Sequence, residues 1–303
     1  MVSRGMESNQ STAELHRART EGGCFLLPSR IILRLSGSDA FRYLNGQITR
    51  DLNRLQDGEA LHACILTPKG KLCAPLLIWR EGADLLVEAD PSLQESLLVR
   101  LERYIVADDV TITMQHSPET IHCFGPLATT SPWKELSGLR VSRLGEPGRD
   151  FARLNEPHPP TLDPAIIERL RVERCIPAWG SELGEETLPP EAGLDRTHID
   201  YDRGCYPGQE VISRLKSIGR VTRLLQVLQV AGNSALVVGM PIVSGEGGEV
   251  GSITSVAPDF PGESSMALAY LQRGTVEGLN PIFALDPLTA SRTALSITHV
   301  TGS

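Results

Sequence analysis

The chain has 303 residues, 41% of them apolar, and carries 29 basic against 37 acidic side chains for a net charge of −8. That length supports two or three packed domains, and the acidic balance excludes a protein that wraps a long nucleic-acid backbone, which needs a dominant basic face. The longest apolar run, APLLIW, falls far short of the roughly 20 residues that cross a bilayer, so no membrane partner is expected.

Residues 1–22 open with MVSRGMESNQSTAELHRART, which mixes Arg with Glu, has no apolar secretory core and reads as a mobile tail. IILRLSG then reads as a strand. SDAFRYLNGQITRDLNRL reads as a helix with Phe41, Leu44, Ile48, Leu52 and Leu55 on one stripe and Ser38 or Asp39 at its N-cap. LHACILT and LCAPLLIWR are strands joined through PKGK, where Pro68 and Gly70 mark a hairpin turn, and ADLLVEAD is a third strand. Pro91 opens a helix with Leu93, Leu97, Leu98, Leu101 and Ile105 along one face, and DVTITMQ returns as a strand. Strands and helices mix without regular alternation, which is an α+β pattern.

A Pro/Gly-rich connector at about 144–164, LGEPGRDFARLNEPHPPTLDP, has no room for a long helix or a central strand and marks a boundary or an exposed loop. PAIIERLRVERC restarts a helix, and IPAWGSELGEETLPPEAGL after it is irregular. From Val221 the chain breaks into short strands, VTRLLQVLQV, ALVVG, GEVGSITSV and SMALAYLQ, the pattern of a small antiparallel sandwich or barrel. The six cysteines, Cys24, Cys64, Cys73, Cys123, Cys175 and Cys205, form no CxxC and no Cys/His cluster. No protein-only metal site is expected, and the cysteines read as free thiols in a reducing cytoplasm.

One stretch packs unusual chemistry: DRGCYPGQEVISRLKSIGR, Asp202 to Arg220. Pro207 and Gly208 fit the two central positions of a type II turn. Val211, Ile212, Leu215 and Ile218 then make the apolar stripe of a short helix capped by Gly219 in the left-handed region. Cys205 sits one turn before that helix, near Arg203, where a thiolate is favoured; it reads either as a reactive sulfur or as a half-buried cysteine used for its apolar bulk. Arg214, Lys216, Arg220 and Arg223 read either as a solvated face or as a patch for an anionic tail or partner. Farther upstream, Glu173 ends an apolar helix, where a carboxylate needs a partner. It suits a ligand with paired N–H donors, such as an aminopyrimidine ring, or an ordinary ion pair with a neighbour such as Arg171 or Arg174. Glu182 and Glu185 follow in the irregular stretch.

RGCYPGQEV, together with VERCIP, LPPEAGL, FRYLNGQITRDL, PKGK and VGSITSV followed by ALAYL, resembles the YgfZ-type folate-binding proteins over about residues 24–275. These share the fold of the glycine-cleavage T-protein, the GcvT-like aminomethyltransferase. The family signature usually begins Lys-Gly-Cys-Tyr; here Arg203 replaces the lysine. The resemblance implies a ring of subdomains around a folate pocket, closed by a C-terminal antiparallel β-barrel: a tail over 1–22, two α+β subdomains over 23–223 and the barrel over 224–303. It implies tetrahydrofolate or a one-carbon derivative as cofactor, with Glu173 on the pterin, Gln47 and Asp51 lining the same pocket, and Cys205, Arg203 and Tyr206 as the functional cysteine motif.

T-proteins place an aspartate soon after a Gly-Gly pair on the hairpin that here reads PKGKLCAPLL. Cys73 and Ala74 stand there instead, leaving no evident acid/base group for aminomethyl transfer. The implied function is that of a non-enzymatic accessory factor in the assembly or repair of iron–sulfur enzymes, partnered by iron–sulfur assembly proteins or client enzymes, with indirect effects on tRNA modification. Two alternatives stay open: a folate-dependent one-carbon transferase acting on an amine, and a factor that binds tRNA directly through the run from Arg214 to Arg223.

Overall fold

The computed structural model describes residues 2–130, 137–152, 160–230, 235–278 and 281–300. Helix α1 (Val2–Thr20) and strands β1 (Gly23–Leu26) and β2 (Ile31–Ser36) precede the short helix α2 (Ala40–Asn45). The hairpin β3 (Leu61–Leu66) and β4 (Leu72–Glu81) follows, then β5 (Asp84–Ala89), helix α3 (Gln94–Glu102), β6 (Thr111–Gln115), β7 (Thr120–Phe124), β8 (Leu139–Val141) and β9 (Gly148–Ala152). Helices α4 (Pro164–Glu173) and α5 (Gln209–Ser217) lead into β10 (Arg223–Gln229), β11 (Pro241–Ser244), β12 (Glu249–Val256), β13 (Met266–Gln272), α6 (Arg273–Gly278), β14 (Ile282–Leu285) and β15 (Arg292–Val300).

The strands form three antiparallel systems: a sheet in the order β3-β4-β5-β2-β6, a sheet in the order β1-β7-β9-β8, and a closed barrel β10-β13-β12-β11-β14-β15. Period-2 alternation gives the first sheet two different faces. Leu33, Leu35, Ala63, Ile65, Leu76, Ile78, Leu85 and Val87 pack in one core with Leu44 of α2 and Leu97 and Leu101 of α3. The residues between them point the other way. Register pairs His62 with Leu77 and Leu77 with Glu88, so a histidine, a leucine and a glutamate lie in one row across that second face.

Several expectations change. The first residues are a helix, not a tail: Leu15 and Ala18 of α1 are buried against Phe25, Phe124, Ile166 and Leu170, one narrow stripe on an otherwise polar segment. The long helix expected over 38–55 stops at Asn45, because the chain beyond it is taken up by β3: Ile48 bridges Ile65, and Thr49 N–H donates to the Cys64 carbonyl at 3.0 Å. Asp39 stands at the N-cap position of α2, yet its carboxylate accepts from the Asp109 N–H at 2.9 Å and leaves the helix end alone.

The connector does hold a central strand. β9 lies between β7 and β8, and Pro147 precedes it, where a missing N–H costs no ladder bond. In the barrel region ALVVG is not a strand, and Val237 and Val238 are 58% and 61% exposed before β11 begins. The barrel itself is closed, and β10, β12 and β13 fall within VTRLLQVLQV, GEVGSITSV and SMALAYLQ as expected. Cys24 and Cys123 are register partners on β1 and β7 and form a buried disulfide, so the free-thiol reading holds for Cys64, Cys73, Cys175 and Cys205 alone. Directly opposed positions of an antiparallel pair bring two Cβ atoms within disulfide reach, a juxtaposition that 99 residues of intervening sequence conceal. Among the described residues no helix is long and apolar enough to cross a membrane.

Candidate functional site

The second face of the first sheet borders a cavity of about 540 Å³. Its remaining walls come from Ser142 and Arg143 between β8 and β9, the segment Arg174–Trp179 after α4, and Ala192–His198. The segment after α4 turns inward because Cys175 takes a left-handed φ of 53°, which ends the helix and sends Ile176, Pro177 and Trp179 along the cavity. That size lies within the usual range for small-molecule sites.

Charge in the cavity is organised from Glu88. Arg143 forks onto it with Nη1 and Nη2 at 2.7 and 2.9 Å, and Arg30 Nε lies 3.1 Å from it. The same Arg143 reaches Asp150 at 2.6 Å, and Asp150 bonds the His122 ring at 2.7 Å. This carboxylate is therefore spent on its arginines. Arg174, paired with Glu146, and the exposed Arg196 add positive charge to the walls. His62 and His198 meet edge to face, centroids 4.9 Å apart, on the cavity wall. Burial pushes His62 down to about 4 and His198 well below its ordinary value, so both rings are neutral at physiological pH.

The cysteine motif is tied to this wall through the chain segment around Thr49. Gly208 has φ +84°, as the second central residue of a type II turn requires, and α5 starts at the next residue. Arg203 is the brace: its guanidinium donates to the carbonyls of Ile48 (2.9 Å), Asn45 (2.5 Å) and Arg50, and stacks 5.4 Å from the Tyr206 ring centre. Thr49, inside that clamped segment, donates to the His198 carbonyl at 2.5 Å and accepts from the Cys64 N–H at 2.8 Å. Tyr206 is buried, and burial pushes its hydroxyl up to about 12. Cys205 itself is exposed. At the far end of α5, Ile218 and Gly219 both donate to the Arg214 carbonyl; Gly219 does not adopt the left-handed cap, and Ile218 is 88% exposed instead of completing the apolar stripe.

The residues expected around one pocket are not gathered there. Glu173 opens onto a separate depression with Arg19, Arg169 and Glu263. It accepts from Arg19 (2.5 and 3.1 Å) and Arg169 (2.6 Å), not from Arg171 or Arg174. Burial alone would raise its pKa, but those arginines outweigh it and hold the carboxylate below its ordinary range. Gln47 accepts from Arg100 at 3.1 Å, and Asp51 caps the turn at Leu52–Arg54 through the Asn53 N–H. Neither is among the cavity walls. Glu182 is buried and holds the 178–182 loop to the barrel through Arg171, the Ala178 N–H and Ser255. Of the basic run, Arg223 pairs with Glu191 and stacks on Tyr270, Lys216 sits over Tyr201 and Arg220 approaches Glu277, so it is not a free cationic stripe. Sequence reading missed His62, Trp179 and His198; the one available signal was the alternation of His62 with buried Ala63 and Leu61.

Comparison with known proteins gives consistent results. No family profile matches the chain. It is 28% identical over 281 residues to the iron–sulfur cluster assembly factor IBA57 homolog, mitochondrial, of Chaetomium globosum, covering 79% of this chain and 64% of that relative. It is 27% identical over 227 residues to the tRNA-modifying protein YgfZ of Klebsiella pneumoniae, covering 64% and 67%. The crystal structure of the glycine cleavage system aminomethyltransferase T from Bartonella henselae superposes with a TM-score of 0.79 at 18% identity, over 97% of this chain and 89% of that one. The chain is similar in sequence to the YgfZ and IBA57 proteins and has the GcvT-like fold. Aminomethyltransferases are also similar, that of Anoxybacillus flavithermus at 27% identity over 261 residues, 72% of this chain and 71% of that protein. In this chain Cys73 is half-buried on β4 beside Arg100, where burial pushes its thiol up.

Proposed function

We propose that this protein binds tetrahydrofolate or a one-carbon derivative in the central cavity and acts as an accessory factor in the assembly or repair of iron–sulfur enzymes, its effect on tRNA modification being indirect. One observation carries the reading: a 540 Å³ cavity has aromatic, neutral imidazole and cationic walls, and its His198 is bonded by Thr49 of the segment that Arg203 clamps two residues before the exposed Cys205. The residues present fit the cofactor. Trp179 and the apolar Leu77 and Pro177 offer a flat ring its faces, and Arg174 and Arg196 suit the carboxylates of a glutamate tail. The folate would supply one-carbon chemistry; this chain's residues bind it, orient it and limit water.

One cysteine could supply only one of the four ligands that a cluster usually takes, so a cluster held at Cys205 would need its remaining ligands from a partner protein. The similarity to aminomethyltransferases favours a second reading, a one-carbon transferase, which would need an acid/base group other than the missing aspartate. Calorimetric titration with tetrahydrofolate under reducing conditions tests the first: binding by the native protein, weakened at least tenfold in Trp179→Ala, is expected. Absence of binding by the native protein would remove the cofactor from the account.

A further inference from the structure

We propose that His62, backed by His198, is the acceptor that reads the N–H edge of the ligand's pterin ring. This rests on the reading of the cavity as a folate site and names the group that recognises the ring there. The aminopyrimidine end of a pterin presents N–H donors side by side and needs an unspent acceptor on the wall. The cavity's carboxylates are largely spent. Glu88 has both oxygens on Arg143 and Arg30, and Asp90 holds the backbone N–H and hydroxyl of Ser92 at 2.9 and 2.6 Å on Oδ1, leaving its Oδ2 as the one competing carboxylate oxygen. Glu173 lies elsewhere.

His62 is different. Its Nε2 lies 2.8 Å from the Ser142 carbonyl oxygen, which can only accept, so Nε2 carries the proton and Nδ1 keeps its lone pair. No hydrogen bond occupies Nδ1 among the described residues, and the residue lines the cavity. His198 packs its ring edge to face against it and bonds Thr197 Oγ1 through Nδ1 at 2.7 Å, which fixes both planes. Burial, helped by nearby Arg143 and Arg50, opposes a proton on His62, so the acceptor stays uncharged and selects a neutral donor over a cation.

The test is calorimetric titration with 5-formyltetrahydrofolate, a stable reduced folate, of the native protein, His62→Leu and His62→Gln. A Kd weakened about tenfold in His62→Leu and restored to within about threefold in His62→Gln, which keeps an acceptor, is expected. Native affinity in His62→Leu would overturn the histidine assignment with the folate reading intact; no binding by the native protein would overturn the folate reading itself. If the leucine variant folds poorly, nitrogen NMR of histidine-labelled native protein decides. The His62 Nδ1 resonance should move on ligand addition as its lone pair takes a hydrogen bond, and an unmoved resonance would overturn the proposal.

Discussion

Gly208 is pressed against Thr67: a Cβ on Gly208 would stand 2.5 Å from the Thr67 carbonyl oxygen and 3.1 Å from Gly70 Cα. The turn that presents Cys205 and the turn of the β3–β4 hairpin are thus in backbone contact, each through a glycine with positive φ. Gly208→Ala should cost about 2–3 kcal/mol, combining the left-handed penalty with the clash. Urea unfolding measures it. A loss under about 0.5 kcal/mol would mean that the two turns separate without consequence.

Arg19 bridges Glu173 and Glu263, and through them fastens α1 to α4 and to the loop before β13. The pairs are partly exposed, 26% for Arg19 and 16% for each glutamate, so their worth lies between that of surface and buried bridges. Arg19→Ala should lower stability by about 1–2 kcal/mol and make the chain near residue 20 cleavable by trypsin. Glu173→Ala should do much the same while leaving folate affinity within about threefold of native. A Glu173→Ala protein that unfolds normally but no longer binds folate would put the ligand in the outer depression instead.

What could be read from residues alone divides along a physical line. Local codes were legible: PKGK as a turn, Pro91 and the start of PAIIERLRVERC as helix starts, Pro207-Gly208 as a type II turn, and the strands whose apolar residues alternate. Long-range pairing was not. Nothing near Glu173 in sequence says that its partner is Arg19, 154 residues away, and nothing near Cys24 announces Cys123. β9 was hidden because its buried Asp150 is polar and is stabilised by Arg143 and His122, partners the strand pattern cannot show. The cavity was hidden for a similar reason: its walls are single residues from separate segments, brought together by the register of three strands.

Acid should destabilise the protein before it reaches the ordinary carboxylate range. Burial depresses His62 to about 4, and lowers His198 and His122 as well. Between the ordinary histidine value near 6.5 and the folded value, the unfolded chain binds protons that the folded chain refuses, so stability rises with pH in that window and falls on acidification. His62 alone accounts for about 3 kcal/mol at about 1.4 kcal/mol per unit. Below that window the depressed carboxylates of Glu173, Asp150 and Asp51 protonate and add to the loss. Urea midpoints measured from pH 7.5 to 4 should drop steadily, and His62→Gln should flatten part of the slope; a flat native profile would contradict neutral buried imidazoles.

The four unpaired cysteines should separate cleanly by reactivity. Cys205 is exposed, whereas Cys64 and Cys175 are buried with thiols that burial pushes upward, Cys175 to about 12. Iodoacetamide at neutral pH should therefore place one fast label on the native protein, absent from Cys205→Ser. The same serine variant should fold normally and bind folate with native affinity, yet fail to restore the activity of iron–sulfur enzymes in cells lacking the native protein. Full restoration would remove the sulfur from the function.

The Cys24–Cys123 bridge closes a loop whose ends are 99 residues apart and ties β1 to β7 inside the second sheet. In the chain-entropy view a loop that long is worth about 4–5 kcal/mol, and native disulfides typically deliver about 2–4. Neither sulfur is solvated, both cysteines being at most 1% exposed, so reductant reaches the bond only after local opening. Intact mass under non-reducing, alkylating conditions should be two hydrogens lighter than after full reduction. Cys24→Ala/Cys123→Ala should lower the unfolding free energy by about 2–4 kcal/mol without altering the Cys205 label. An unchanged urea midpoint in that double variant would show that the sheet's own ladder, with Phe124 and Phe151 packed on either face, holds β1 in place without the covalent tie.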